Sequence, residues 1–354
     1  MQKTIILTGV TGQDGSHMAD YLLKNTEHNI IGTIRRLSVK NHENIEHLKG
    51  EKRFQLADMD LTDGHSIRDV ILDHEPDYFI NFAAQSFVAG SWKYPVQTWN
   101  TDSDGVLHIL ESLRRFAPDC RFYNAGSSEE FGDVICSPQD EQHPLRPQSP
   151  YGAAKCAARH LVRVYRESYN MFAIQGWLFN HEGTRRGLDF VTRKISHGIA
   201  KLKHATEIEK VLTFSNPKPE LPILKLGNMD AQRDWSDAED FMEGVWLMLN
   251  NDQPKEYVLG SGKMHTVREF VKLSLHYAGI EYENIGSGDQ EKFTTKDGRT
   301  IVEIDPEFYR PAEVHELCGD PSNAEEQLKW TRKTDFKSLV KKMLENDYKI
   351  QQNK

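Results

Sequence analysis

Short apolar runs alternate with longer amphipathic stretches through the first half of the chain. Runs at 4–7, 29–34, 53–57, 78–82, 121–124 and 172–178 predict six strands. Apolar residues at helical spacing predict helices over 15–24, 64–72, 102–115 and 153–169. Strands that alternate with helices build a parallel sheet covered on both faces, so the pattern predicts an α/β fold: a doubly wound, nucleotide-binding sheet. The alternation breaks down after about residue 178. A polar segment, 180–193, leads into a helix near 194–203, and the proline-rich stretch 216–222 reads as a surface loop. Further helices are expected over 237–250, 267–277 and 337–348. Residues 1–180 are thus expected to form a cofactor domain. Residues 181–354 are expected to form mainly a smaller α/β substrate domain, with some segments returning to the first.

Composition narrows the classes. The 354 residues are 38% hydrophobic, and 44 Lys+Arg against 53 Asp+Glu give a net charge of −9. That balance argues against a broad nucleic-acid surface. No run approaches the roughly 18 apolar residues of a membrane span, and no secretory leader is expected from the first residues. Cys120, Cys136, Cys156 and Cys318 are scattered without CxxC spacing, so neither a disulfide framework nor a metal site is expected.

The first strand runs into Gly9-Val10-Thr11-Gly12-Gln13-Asp14-Gly15, a Gly-x-x-Gly-x-x-Gly variant of the dinucleotide fingerprint. Its glycines allow a tight turn and close approach to a pyrophosphate, which the following helix N-terminus attracts. An NAD enzyme would carry an acidic residue at the end of the second strand. Here Arg35-Arg36 stand there and suit a 2′-phosphate, which favours NADP. Two solvated surface arginines are the plainer alternative. Asp60 and Leu61, after the third strand, fall near the adenine in this topology.

Tyr151 and Lys155 lie four apart at a helix start, hence on one face. An ammonium beside a phenol favours the phenolate, and such a tyrosine can serve as a general base toward a hydroxyl. Ser127 and Glu129 follow the fifth strand, whose carboxyl end faces the same crevice. The hydroxyl can bond a reacting oxygen, and the carboxyl can move a proton from carbon. Glu130 reads more simply as a cap.

These residues make a specific match. The chain resembles the extended short-chain dehydrogenase/reductase family and, within it, the GDP-mannose 4,6-dehydratases. The resemblance spans nearly its whole length: GVTGQDGS at 9–16, Arg35-Arg36, DLTD at 60–63, AAQS at 83–86, SPYGAAK at 149–155, LFNHE at 178–182, RRG at 185–187, FVTRKIS at 190–196, RDW at 233–235 and YRPAEV at 309–314. It implies a Rossmann fold with a C-terminal substrate domain, and Ser127, Glu129, Tyr151 and Lys155 as catalytic residues. Ser128 before Glu129 follows the GDP-mannose pattern, where dTDP-glucose dehydratases carry Asp-Glu. The implied reaction is NADP-dependent: C4 oxidation, loss of water across C5 and C6 with Glu129 as acid/base, and hydride return to C6, giving GDP-4-keto-6-deoxymannose.

The resemblance further implies that NADP is held by Gly9, Thr11, Gly12, Gln13, Asp14, Arg35, Arg36, Asp60, Leu61, Ser86, Lys155, His181 and Arg186. The GDP-sugar would be held by Ser86, Asn180, Lys194, Arg233, Arg310 and Glu313. A homo-oligomer in the cytoplasm is implied, a homodimer through the helices over 102–115 and 153–169 or a homotetramer. Three stretches depart from the family pattern. Gly183-Thr184 stand where Ser-Pro is usual, and the 37–44 arm replaces a serine-rich stretch ending in arginine that reaches a neighbouring subunit in many relatives. The 206–222 loop is longer than usual. Two other readings stay open: a dehydratase for another GDP-sugar, such as a GDP-heptose, and a noncatalytic NADP-binding regulator.

Overall fold

The computed structural model describes residues 2–211, 220–308 and 317–353. The predicted alternation becomes β1 (Thr4–Thr8), α1 (Gln13–Asn25), β2 (Asn29–Ile34), β3 (Phe54–Asp58), α2 (Gly64–His74) and β4 (Tyr78–Asn81). Two short helices, α3 (Val88–Lys93) and α4 (Pro95–Trp99), precede α5 (Gly105–Phe116), β5 (Arg121–Ala125), α6 (Pro150–Tyr169) and β6 (Ala173–Leu178). The pattern did not show α3 and α4, whose exposed Trp92, Val96 and Trp99, with exposed Tyr94 at their junction, break helical periodicity. A π turn, Asn100–Asp104, joins α4 to α5, so the helix expected at 102 starts as a wider coil.

Further along lie β7 (Asn180–Glu182), α7 (Val191–Val211), β8 (Leu224–Leu226), β9 (Gln232–Arg233), β10 (Trp235–Asp237) and α8 (Ala238–Leu249). They are followed by β11 (Val258–Leu259), β12 (His265–Thr266), α9 (Val267–Ala278), β13 (Glu283–Ile285), β14 (Lys292–Thr294), β15 (Thr300–Ile304), α10 (Ser322–Gln327) and α11 (Phe336–Gln352). The helix expected over 194–203 runs to 211, so the loop expected from 206 begins later. Buried Ile195, Ile199 and Leu202 continue to partly buried Ala205 at helical spacing, and Arg299 pairs with Glu209 at 3.0 Å. Residues 212–219 of that loop lie outside the described residues.

The main sheet has the order β11-β6-β5-β4-β1-β2-β3, all parallel. Its direction of winding reverses beside β1, which opens a crevice at the carboxyl ends of β1 and β4. The seventh strand, β11, comes from beyond residue 180, and so does α8, whose Phe241, Val245 and Met248 join the core formed by Ile5, Leu7 and Ile174. A second core lies among α7, α9, α11 and the sheet β13-β14-β15-β8, with Ile199, Leu224, Phe270, Phe293, Leu339 and Met343 fully or nearly buried. No helix among the described residues is long and apolar enough to cross a membrane.

Candidate active site

A cavity of about 1110 Å³ occupies the crevice. The glycine turn forms one wall. Gly9 has φ +66, and a Cβ there would lie 2.8 Å from the Ala83 nitrogen; one on Gly15 would lie 2.3 Å from the Gly9 carbonyl. Only glycine lets this turn close against β4 and α1. Gly12 caps α1, whose first N–H groups face the cavity and suit phosphate. Exposed Arg35 and Arg36 line the same cavity, and no described carboxylate lies within 4.0 Å of either. These residues fit a dinucleotide.

Gly9, Thr11, Gly12, Gln13, Asp14, Arg35, Arg36, Asp60, Leu61, Ser86 and Arg186 all line this cavity, together with Lys40, His42 and Gln85, which sequence reasoning missed. Lys40 and His42 lie only a few residues past the arginine pair, and that proximity was the available signal. The arm folds onto its own chain, where the Asn44 amide donates to the Thr11 carbonyl at 2.9 Å. Asp60 is partly committed to its turn, accepting from the Thr62 N–H at 2.9 Å.

His181 stands behind this wall. Its Nε2 lies 3.0 Å from Asp14 Oδ2, its Nδ1 donates to the Phe179 carbonyl at 2.7 Å, and its ring stacks on Phe241. Burial alone would lower its pKa, but the Asp14 charge and hydrogen bond outweigh that and raise it. Burial likewise pushes Asp14 up, and the His181 charge and hydrogen bonds more than offset it, holding the carboxyl well below the usual range. His181 therefore bears on the turn through Asp14.

Beyond the crevice, the four expected catalytic residues converge. Ser127 caps the short 3-10 turn Ser128–Glu130, accepting from the Glu129 N–H at 3.2 Å, and its hydroxyl also bonds Tyr151. Gly152 permits this convergence, since a Cβ there would meet the Glu129 carbonyl at 2.6 Å. Lys155, 3% exposed, donates to the Ala125 carbonyl at 3.0 Å, with its ammonium 5.7 Å from the Tyr151 ring centre. Burial and the charge of Asp102 raise the Tyr151 pKa, while the Ser127 hydrogen bond works against them.

A buried polar chain underlies both parts. Thr8 donates to Asn81 at 2.5 Å, Asn81 to Asn124 at 2.6 Å, Asn124 to Gln175 at 2.6 Å and Gln175 to Glu130 at 3.1 Å. Glu130 also binds the Arg159 guanidinium and accepts from the Ser127 N–H at 2.8 Å. Every link has one donor and one acceptor, so the chain rigidly ties the glycine turn's strand to the catalytic turn.

On the substrate side, Asn180 starts β7 and pairs with Trp235 of β10. The Lys194 ammonium lies 3.0 Å above the Phe308 ring, and burial lowers its pKa. Arg233 is nearly buried and donates to the Gln232 carbonyl at 2.6 Å. None of these three lines the large cavity. Arg310 and Glu313 lie outside the described residues.

Known proteins resemble the chain over nearly its whole length. Proteins named GDP-mannose 4,6-dehydratase from Drosophila melanogaster and Vibrio cholerae are 40% and 38% identical to it. Each alignment covers 98% of this chain, with 87% and 94% of the relative. Among solved structures, a Bacillus anthracis dTDP-glucose 4,6-dehydratase in complex with NAD superposes with TM-score 0.78 at 18% identity, covering 99% of this chain and 98% of that one. A Pseudomonas aeruginosa protein, RMD, complexed with NADPH gives 0.76 at 20%, covering 99% and 100%; both likenesses concern the fold. The family model for GDP-mannose 4,6 dehydratase matches residues 6–343, and the chain belongs to that family.

Proposed function

We propose that this protein removes water from GDP-mannose to give GDP-4-keto-6-deoxymannose, with bound NADP as a recycled cofactor. The observation that carries this is the meeting of a Tyr151–Lys155 pair and a separate carboxylate, Glu129, at one centre beside a dinucleotide cradle. A simple alcohol dehydrogenase needs the pair; eliminating water needs the second acid/base group as well. Family membership along almost the whole chain supports the choice of substrate.

A bound nicotinamide supplies the hydride acceptor, and in its reduced form the hydride donor, of such a cycle. Tyr151 takes the proton of the C4 hydroxyl, with the Lys155 charge favouring the phenolate. Ser127 holds the reacting oxygen. A C4 ketone makes the neighbouring C5–H acidic, so Glu129 can take that proton and then protonate the leaving C6 hydroxyl. Arg35 and Arg36 favour NADP over NAD, because guanidinium groups match a 2′-phosphate. Asn180, Lys194, Arg233, Arg310 and Glu313 are proposed to meet the GDP-sugar, and the working unit is proposed to be a homo-oligomer.

The test is incubation with GDP-mannose and catalytic NADP. A 4-keto product that absorbs in alkali is expected, without net NADPH. No product from GDP-mannose, with product from another GDP-sugar, would replace the substrate. Arg36→Ala is expected to weaken NADP binding by about tenfold or more, as lost charge-assisted bonds do, and to leave NAD binding unchanged.

A further inference from the structure

Asp102 sits in the π turn between α4 and α5 and is 1% exposed. One carboxylate oxygen accepts from the Gln85 N–H at 2.7 Å; the other is buried without a hydrogen-bond partner. Buried polar groups in native proteins are nearly always paired, and a carboxylate is the most expensive kind to leave unpaired. A π turn is itself a costly departure that clusters at functional places. Two unfavourable features coincide here, and they coincide beside the catalytic centre.

The surroundings indicate what the charge does. The π turn packs against α6, where the Asp102 charge acts on the Lys155 ammonium and the Tyr151 phenol, and from the loop after β4 the Gln85 N–H donates to it. Burial pushes the Asp102 pKa up to about 6, while the Lys155 charge and the Gln85 hydrogen bond oppose that rise. Lys155 is buried too, and its ammonium donates to the Ala125 carbonyl. Among the described residues no carboxylate lies within 4.0 Å of that ammonium, so Asp102 supplies negative charge to it at longer range. Gln85 immediately precedes Ser86 on the cavity wall.

We infer that Asp102 is a positioning residue of the catalytic centre: it pins the Gln85–Ser86 loop to the π turn and places a buried negative charge against the Tyr151–Lys155 pair of α6. The inference rests on the reading of Tyr151 and Lys155 as the proton-handling pair.

Asp102→Asn tests it, because the amide oxygen can still accept from Gln85 while the charge is gone. The expected results are a kcat at least about tenfold lower with KM changed less than about threefold, a pH profile of kcat displaced from that of the wild type, and a higher Tm above pH 6. A variant with unchanged kcat and pH profile, or one that loses Tm while its residual activity per folded molecule is intact, overturns the inference. A measurement on the unmutated carboxylate covers a variant that fails to fold. Carbon-13 NMR of Asp102 should show titration near pH 6 in the wild type and higher in Lys155→Met; titration below about pH 4, unmoved by Lys155→Met, overturns it. Tyr151→Phe separates the two levels. If Tyr151→Phe is fully active, the underlying reading fails; if Tyr151→Phe is dead and Asp102→Asn is not slowed, only the present inference fails.

Discussion

Glu129 and Glu130 are adjacent in the chain and share one short buried turn, yet they have different partners. Glu130 is fully buried, held by Arg159, Gln175 and the Ser127 N–H at the end of a polar chain that begins at Thr8. Glu129 is nearly as buried, at 9% exposed, and its charge acts on the Tyr151 phenol more strongly than that of Glu130 does. One carboxylate is committed to holding the turn, and its neighbour is the one proposed to move protons in the reaction. Asp102 extends the contrast, being buried like Glu130 with one oxygen left unpaired. Paired buried groups hold the site in place, and the costly unpaired one marks where function overrides stability.

The sharpest way to break this comparison is to exchange the two phenotypes. Glu129→Gln is expected to lower turnover by about 10²–10⁴-fold, the usual worth of a general acid/base, with cofactor binding retained and stability changed by less than about 1 kcal/mol. Steady-state kinetics with urea unfolding checks both; a Glu129→Gln enzyme of full activity refutes the assignment. Glu130→Ala takes one of two carboxylate partners from buried Arg159, Glu256 at 3.3 Å being the other, and leaves the Gln175 amide and the Ser127 N–H without this acceptor; it is expected to cost about 3 kcal/mol of stability. A loss under about 1 kcal/mol would mean that the polar chain does not hold the turn.

Asp102 gives the opposite sign. Its folded pKa of about 6 exceeds the ordinary 3.8. Ionising it therefore costs the native state on the order of 3 kcal/mol at about 1.4 kcal/mol per pH unit. Below about pH 4 both folded and unfolded forms are protonated and nothing is lost; stability falls as pH rises toward 6. Unfolding measured from pH 4 to 8 should show Asp102→Asn gaining on the wild type across that window.

The Asp14–His181 pair runs on a different window. His181 is raised, so its contribution is full below about pH 6.5 and lost as pH rises through the folded value. Asp14 is depressed, so its own contribution persists down through ordinary acid pH. The stability gap between wild type and Asp14→Asn should shrink in alkali, and a gap that widens there would contradict the ion pair. The smallest effect is expected at Gly183. Gln13 Oε1 and His17 Nε2 are buried without partners, and a Cβ on Gly183 would lie 3.6 Å and 3.5 Å from them. Gly183→Ser places a hydroxyl that can donate to Gln13 Oε1 and accept from His17 Nε2–H, and should gain about 0.5–1 kcal/mol, read by thermal unfolding.

The sequence was most legible where one force dominates. Strands buried on both faces, such as β1 and β6, write themselves as apolar runs, and β2 matches its expected bounds at both ends. Two- and three-residue strands such as β9, β11 and β14 are too short to show a period, so the second core was not visible. The glycine turn, the arginine pair and Tyr151–Lys155 carry local spacing and could be read directly. Asp102 could not, because its meaning lies in contacts with Gln85 and Lys155 that tertiary folding creates.

The central claim is an internal redox cycle with water loss at one centre. GDP-mannose carrying deuterium at C4, incubated with the protein and NADP, tests it most directly. The account predicts a 4-keto-6-deoxy product with the deuterium on C6 and no accumulated NADPH. Deuterium recovered in free NADPH, or a 4-keto product that keeps its C6 hydroxyl, would contradict it.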